Sequence, residues 1–65
     1  MIDTSLLEST DRWKTRNPDD ALNGFHIKIK DYDEKTITFS WWDGKAAWED
    51  GLSYDEFERR FEPWY

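Results

Sequence analysis

A 65-residue chain without cysteine has neither disulfides nor thiolate-held metal to lean on, and it is too short for more than one small core. Fifteen acidic side chains against nine basic ones leave a net charge of −6, which argues against direct binding of nucleic acid by the usual basic surface. No run approaches the roughly 20 apolar residues of a membrane span, and no signal-like segment opens the chain. The expectation is a soluble cytoplasmic domain.

Residues 1–11 are polar and lack a sustained period, so they predict a flexible or loosely docked N-terminal segment, with Leu6 and Leu7 able to seat one turn of helix. A single small globular domain follows over 12–65. Arg12-Trp13-Lys14-Thr15-Arg16 reads as a short edge strand with Trp13 turned inward and its basic neighbours discouraging edge-to-edge pairing. Asn17-Pro18-Asp19-Asp20 is turn chemistry, and the loop runs on to Asn23-Gly24.

Phe25 to Lys30 alternates as a strand: Phe25, Ile27 and Ile29 inward, His26, Lys28 and Lys30 outward. Asp31 to Lys35 then connects to a second strand, Thr36 to Trp42. There alternation sends Ile37, Phe39 and Trp41 to the core and Thr36, Thr38, Ser40 and Trp42 to the wet face. Asp43-Gly44 is a two-residue hairpin signal, leading to a short third strand over 45–49 that returns Trp48 to the core beside Ala46. Ser53-Tyr54-Asp55-Glu56 is a capping box, with acids in the first turn and Arg59-Arg60 in the last to suit the helix dipole. Tyr54, Phe57 and Phe61 form its core-facing stripe, and Pro63 stops it near Glu62. Trp64 and Tyr65 fold back or project.

With no valine and few isoleucines and leucines, the core must be built from aromatics. The predicted fold class is α+β: an antiparallel meander of three to four strands, curling into a small SH3-like barrel or packing flat, with one short C-terminal helix.

From Trp13 to Pro63 the order is an aromatic-basic strand, a polar loop, a meander, and a helix ending Glu56-Phe57-Glu58-Arg59-Arg60-Phe61-Glu62-Pro63. This resembles the small SH3-like β-barrel accessory modules encoded by phages and prophages. The resemblance implies a non-enzymatic binding protein in the host cytoplasm and carries no catalytic residue with it. The related Tudor-type barrels suggest an aromatic cage for methylated lysine or arginine, which here would need Tyr32, Trp42 and Trp48.

Candidate chemistry narrows quickly. His26 is the single histidine, on an outer strand face without a nucleophile or orienting acid at a telling spacing. Asp31, Asp33 and Glu34 fail the calcium-loop pattern, since Lys35, Thr36 and Trp42 occupy the positions of a ligand, the glycine and the closing glutamate. No residue asks for a cofactor or a metal, and no enzyme activity is expected.

Two charged surfaces remain. The bases Arg12, Lys14, Arg16, Lys28 and Lys30, with Trp13 and His26 as stacking rings, would make a small nucleic-acid-binding or transcription-regulatory module. However, residues 1–30 hold as many acids as bases, and the whole −6 sits after residue 30. Residues 43–58 place six acids against Lys45 alone. Trp42, Asp43, Glu49, Asp50, Asp55 and Glu56 would then form one acidic, aromatic face that imitates DNA phosphates or pairs with Lys and Arg. The leading expectation is therefore an accessory protein that binds and inhibits a nucleic-acid-handling or defence protein of the host, such as a CRISPR or restriction component. A structural component that homodimerises through exposed aromatics is the third reading.

Overall fold

The alternation in Thr36–Trp42 is the axis around which the molecule is built. In the computed structural model, which describes residues 4–64, this segment is a seven-residue strand whose Ile37 and Phe39 are completely buried. Naming elements in chain order, the structure contains α1 (Thr4–Ser9), β1 (Trp13–Thr15), β2 (Lys28–Tyr32), β3 (Thr36–Trp42), β4 (Ala47–Ser53), α2 (Tyr54–Arg60) and β5 (Phe61–Pro63). Among the described residues the fold is α+β: five strands in two antiparallel sheets, with two short helices.

One sheet runs β2-β3-β4; the other pairs β1 with β5 in the register Trp13 to Pro63 and Thr15 to Phe61. A single antiparallel bridge between Trp13 and Ile27 joins the two, with reciprocal amide bonds of 2.8 and 3.0 Å. The pairing of the chain's two ends was not legible from either segment alone, because three residues are too few to show a period. Pro63 is tolerated there as the last residue of a strand paired on one side only.

β2 lies two to three residues later than the Phe25–Lys30 alternation predicts. Ile27 spends its hydrogen bonds on β1, and a bulge between Ile29 and Asp31 sets Asp31 opposite Thr38 and Tyr32 opposite Ile37. Asp31 and Tyr32, expected in the connecting loop, are strand residues.

The β3–β4 turn corrects a second expectation. Its central residues are Gly44 and Lys45, not Asp43 and Gly44: the Asp43 amide donates to the Ala46 carbonyl, and only Gly44 has positive φ (98°). Moving the turn centre by one residue moves the pairing by two. Trp48 therefore sits opposite Trp41 rather than Phe39, with Asp50 opposite Phe39 and Leu52 opposite Ile37. Trp48 keeps the face that alternation gives it but is carried past the end of the core, and it is 53% exposed. Ala46 and Ala47 are exposed with it, and β4 extends to Ser53 rather than ending at Glu49.

α2 begins as its capping box specifies. Ser53 Oγ accepts from the Glu56 amide at 3.3 Å and donates to Glu56 Oε1 at 2.9 Å. The helix stops at Arg60, and Phe61 starts β5 instead of closing the helical stripe. Tyr54, Phe57 and Phe61 nevertheless all point inward. Phe57 meets Trp13 edge-on at 5.1 Å and Phe61 at 4.9 Å, while Phe39 meets Phe61 at 5.1 Å. This cluster of rings is the core, capped at one side by Leu7 of α1 and Leu22 of the long loop.

Within the first eleven residues, α1 is tied down by buried Leu7 and by the Tyr32 hydroxyl, which donates to Glu8. The loop between β1 and β2 is held by Arg60, whose guanidinium meets both Asp20 oxygens at 2.7 and 2.9 Å, and by the Thr15 hydroxyl donating to Asn23 Oδ1 at 3.0 Å. Tyr65, expected to fold back or project, lies outside the described residues.

Candidate partner-binding surface

The turns at the two ends of β3 are built alike. Asp33 Oδ1 accepts from the amides of Lys35 and Thr36, and Asp43 Oδ1 accepts from those of Lys45 and Ala46, all at 2.8 Å. Both carboxyls are held below the ordinary value of 3.8 by these donors. At Asp43 the Ala46 amide acts most strongly, followed by the Trp48 indole, which donates to Oδ2 at 2.6 Å.

At this hairpin tip the chain displays its largest exposed apolar groups. Trp42 is 61% exposed and Trp48 53%. They lie on opposite faces of the ribbon, because Trp48 is opposite Trp41 whereas Trp42 is opposite Ala47. Trp41 packs against the core and stacks on Phe39 at 5.8 Å. An aromatic cage from Tyr32, Trp42 and Trp48 does not form. The two tryptophans face apart, and Tyr32, opposite Ile37, is roughly 17 Å away along the strand.

The acids singled out in the sequence do not make one patch. Asp43 sits at the tip, while Asp55 and Glu56 open α2 after Ser53, at the far end of β4, roughly 20 Å away. Glu49 lies on the open face of the sheet with Trp42 and is ion-paired to Lys30 across β3. Asp50 is on the helix side opposite Phe39, where its Oδ1 accepts the Gly51 amide at 2.8 Å and its charge acts on Arg60. Trp42, Asp43 and Glu49 are therefore neighbours on one hairpin; Asp50 faces the other way, and Asp55 and Glu56 stand apart.

The basic strand face is likewise taken apart. Trp13 is 1% exposed and unavailable for stacking. Lys14 and Arg16 both pair with Glu62, and Arg16 Nε also donates to the Glu58 and Phe61 carbonyls. Lys28 and Arg12 have no carboxylate partner among the described residues. His26 packs against the Trp64 ring at 4.7 Å, and the Arg12 guanidinium lies over the same ring, 6.0 Å from its centroid. Among the described residues, no three His, Cys, Asp or Glu side chains cluster as metal ligands, and no helix is long and apolar enough to cross a membrane.

Sequence reasoning missed the exposure of Trp48. The signal was present: Asp-x-Lys-x occurs at both 33–36 and 43–46, and an aspartate that accepts the amides two and three residues on starts the turn rather than occupying its centre. Compared with family models, curated proteins and solved structures, the chain matches none of them.

Proposed function

We propose that this is a non-enzymatic binding module whose contact surface is the β3–β4 hairpin, and that it acts as a phage-type accessory protein inhibiting a basic, nucleic-acid-handling protein of the host. The observation that carries the reading is the pair of tryptophans at the tip, 61% and 53% exposed, where the other described aromatics, Trp64 apart, lie in or against the core. Exposed Trp at a rigid site is the side chain most often found anchoring a protein interface. Asp43 fixes the tip with three donors and keeps a full negative charge there, so little order remains to be gained on binding. Asp50 lies on the same face of β4 as Trp48 and extends the acidic character there, which suits a partner rich in Lys and Arg.

The SH3-like reading of the fold is supported by the order of pairing. β5 joins β1, β1 bridges to Ile27 just before β2, and β2-β3-β4 form a meander with a helix before the last strand. The phage-type origin rests on the same resemblance.

Capture from a bacterial host lysate on the immobilised protein, with identification by mass spectrometry, tests the function. The Trp42→Ala/Trp48→Ala variant is expected to weaken a captured partner at least about 30-fold, the loss of a hot spot of about 2 kcal/mol. A partner that binds this variant as tightly as the parent would remove the hairpin as the interface. Light scattering of the pure protein separates this from homodimerisation through the same tryptophans.

A further inference from the structure

On the open face of the β2-β3-β4 sheet, Trp42 borders a groove of about 440 Å³ that also takes in Phe25, His26, Lys28, Ser40 and Trp41. His26 and Trp42 both line it, and both rings are exposed. Trp64 follows at 4.7 Å from His26, and the Arg12 guanidinium lies 6.0 Å from the Trp64 ring. None of the residues lining the groove is acidic. Two acids share this face: Glu49, held by Lys30, and Asp31, opposite Thr38 and away from the groove. Lys28 and Arg12 have no carboxylate partner among the described residues. In a chain of net charge −6, the one charged residue lining this aromatic groove, Lys28, is therefore positive.

We propose that this groove binds single-stranded nucleic acid, with bases stacking on Trp42 and His26 and phosphates meeting Lys28 within it and Arg12 beyond it, past Trp64. Flat rings set between cations match an alternation of base and phosphate, and only an unpaired strand offers free base faces. The site differs from the basic strand face expected from sequence, since Trp13 is buried and Lys14 and Arg16 are paired with Glu62. It shares Trp42 with the protein-binding reading, which also uses Trp48 and Asp43, so the Trp48→Ala variant separates the two.

Fluorescence anisotropy of a dye-labelled short oligothymidylate at low salt tests it, with a duplex of equal length alongside. Saturable binding of the single strand is expected, falling about sevenfold between about 50 and 200 mM salt if two phosphates are contacted. Trp42→Ala should weaken binding at least about fivefold, the smaller end of what one stacked base contributes. Lys28→Glu should weaken it and flatten the salt dependence. Lys35→Glu, with the same charge change at the other end of β3, and Trp48→Ala should bind as the parent does. The proposal is overturned if the parent shows no saturable binding at low salt, if duplex binds equally well, or if an acidic peptide displaces the strand at equal concentration. Equal binding by Trp42→Ala and Lys28→Glu variants that retain the parent circular dichroism spectrum would also overturn it.

Discussion

The Trp48 indole N–H donates to Asp43 Oδ2 at 2.6 Å while Oδ1 of the same carboxylate accepts two turn amides, so one side chain fixes both the path of the hairpin and the ring at its tip. Removing that carboxylate should loosen the tip without touching the core. In Asp43→Ala, the Lys45 and Ala46 amides are expected to exchange faster with solvent deuterium, and the ordered environment of the Trp48 indole N–H should collapse in NMR spectra. Core amides of Phe39 and Ile37 should keep their protection. Unchanged exchange at Lys45 and Ala46 would show that the carboxylate does not hold the turn.

Acid sensitivity follows from three aspartates. Asp20, held chiefly by Arg60, and Asp33 and Asp43, held chiefly by backbone amides, all titrate below their ordinary value of 3.8 in the folded protein. A carboxyl depressed by folding contributes stability in full above its unfolded pKa of about 3.9 and loses it as pH falls through the lower folded value. The thermal midpoint should be nearly flat from pH 7 to about 5 and then drop below about pH 4. Circular dichroism melts across this range check it; a midpoint that declines between pH 7 and 5 would point to a different set of groups.

Phe57 is fully buried and in contact with Trp13, Phe39 and Phe61. Phe57→Ala should cost about 3–5 kcal/mol through lost burial and the cavity left behind. A domain this small holds about that much in total, so the variant is expected to lose its cooperative melt and dispersed NMR spectrum. Persistence of a sharp transition would mean that the rings can close over the gap.

Two of the ion pairs that bind distant segments should differ in weight. Asp20 and Arg60 have side chains only 13% and 31% exposed and meet through two bonds, whereas Lys30 and Glu49 are more than half exposed. Asp20→Ala is expected to destabilise by about 2 kcal/mol, since it leaves a partly buried guanidinium short of acceptors. Glu49→Gln should stay within about 1 kcal/mol of the parent. Urea unfolding of the two variants and of the Asp20→Ala/Arg60→Met pair measures both effects.

How far the sequence could be read depended on how local the controlling interaction was. The capping box at Ser53 and Glu56 was legible because both partners lie within one turn. The inward stripe Ile37-Phe39-Trp41 was legible because β3 carries its own period, and that period keeps Trp42 outward whatever its neighbours do. The helix-to-strand switch at Phe61 was not legible: it is decided by β1, nearly fifty residues earlier, which offers Thr15 as its partner. Of the six acidic and aromatic residues gathered as one candidate face, Trp42 and Asp43 are neighbours because adjacency along the chain survives folding, and Glu49 joins them because the β3–β4 register sets it opposite Ser40. Asp55 and Glu56 separate from them because β4 runs on to Ser53 before α2 begins.

By itself, then, the sequence determined an aromatic core, a capped helix near the C-terminus, a central strand with one dry and one wet face, and an acidic second half. These are written in composition and in contacts of four residues or fewer. Only the tertiary structure decided that Trp48 stands in solvent, that the acids divide between two faces, and that Lys28 and Arg12 lack the carboxylate partners that Lys14, Arg16 and Lys30 have. Each of these depends on register. One residue in the position of the Gly44 turn moves every pair between β3 and β4 by two, and no local preference within either strand records that choice.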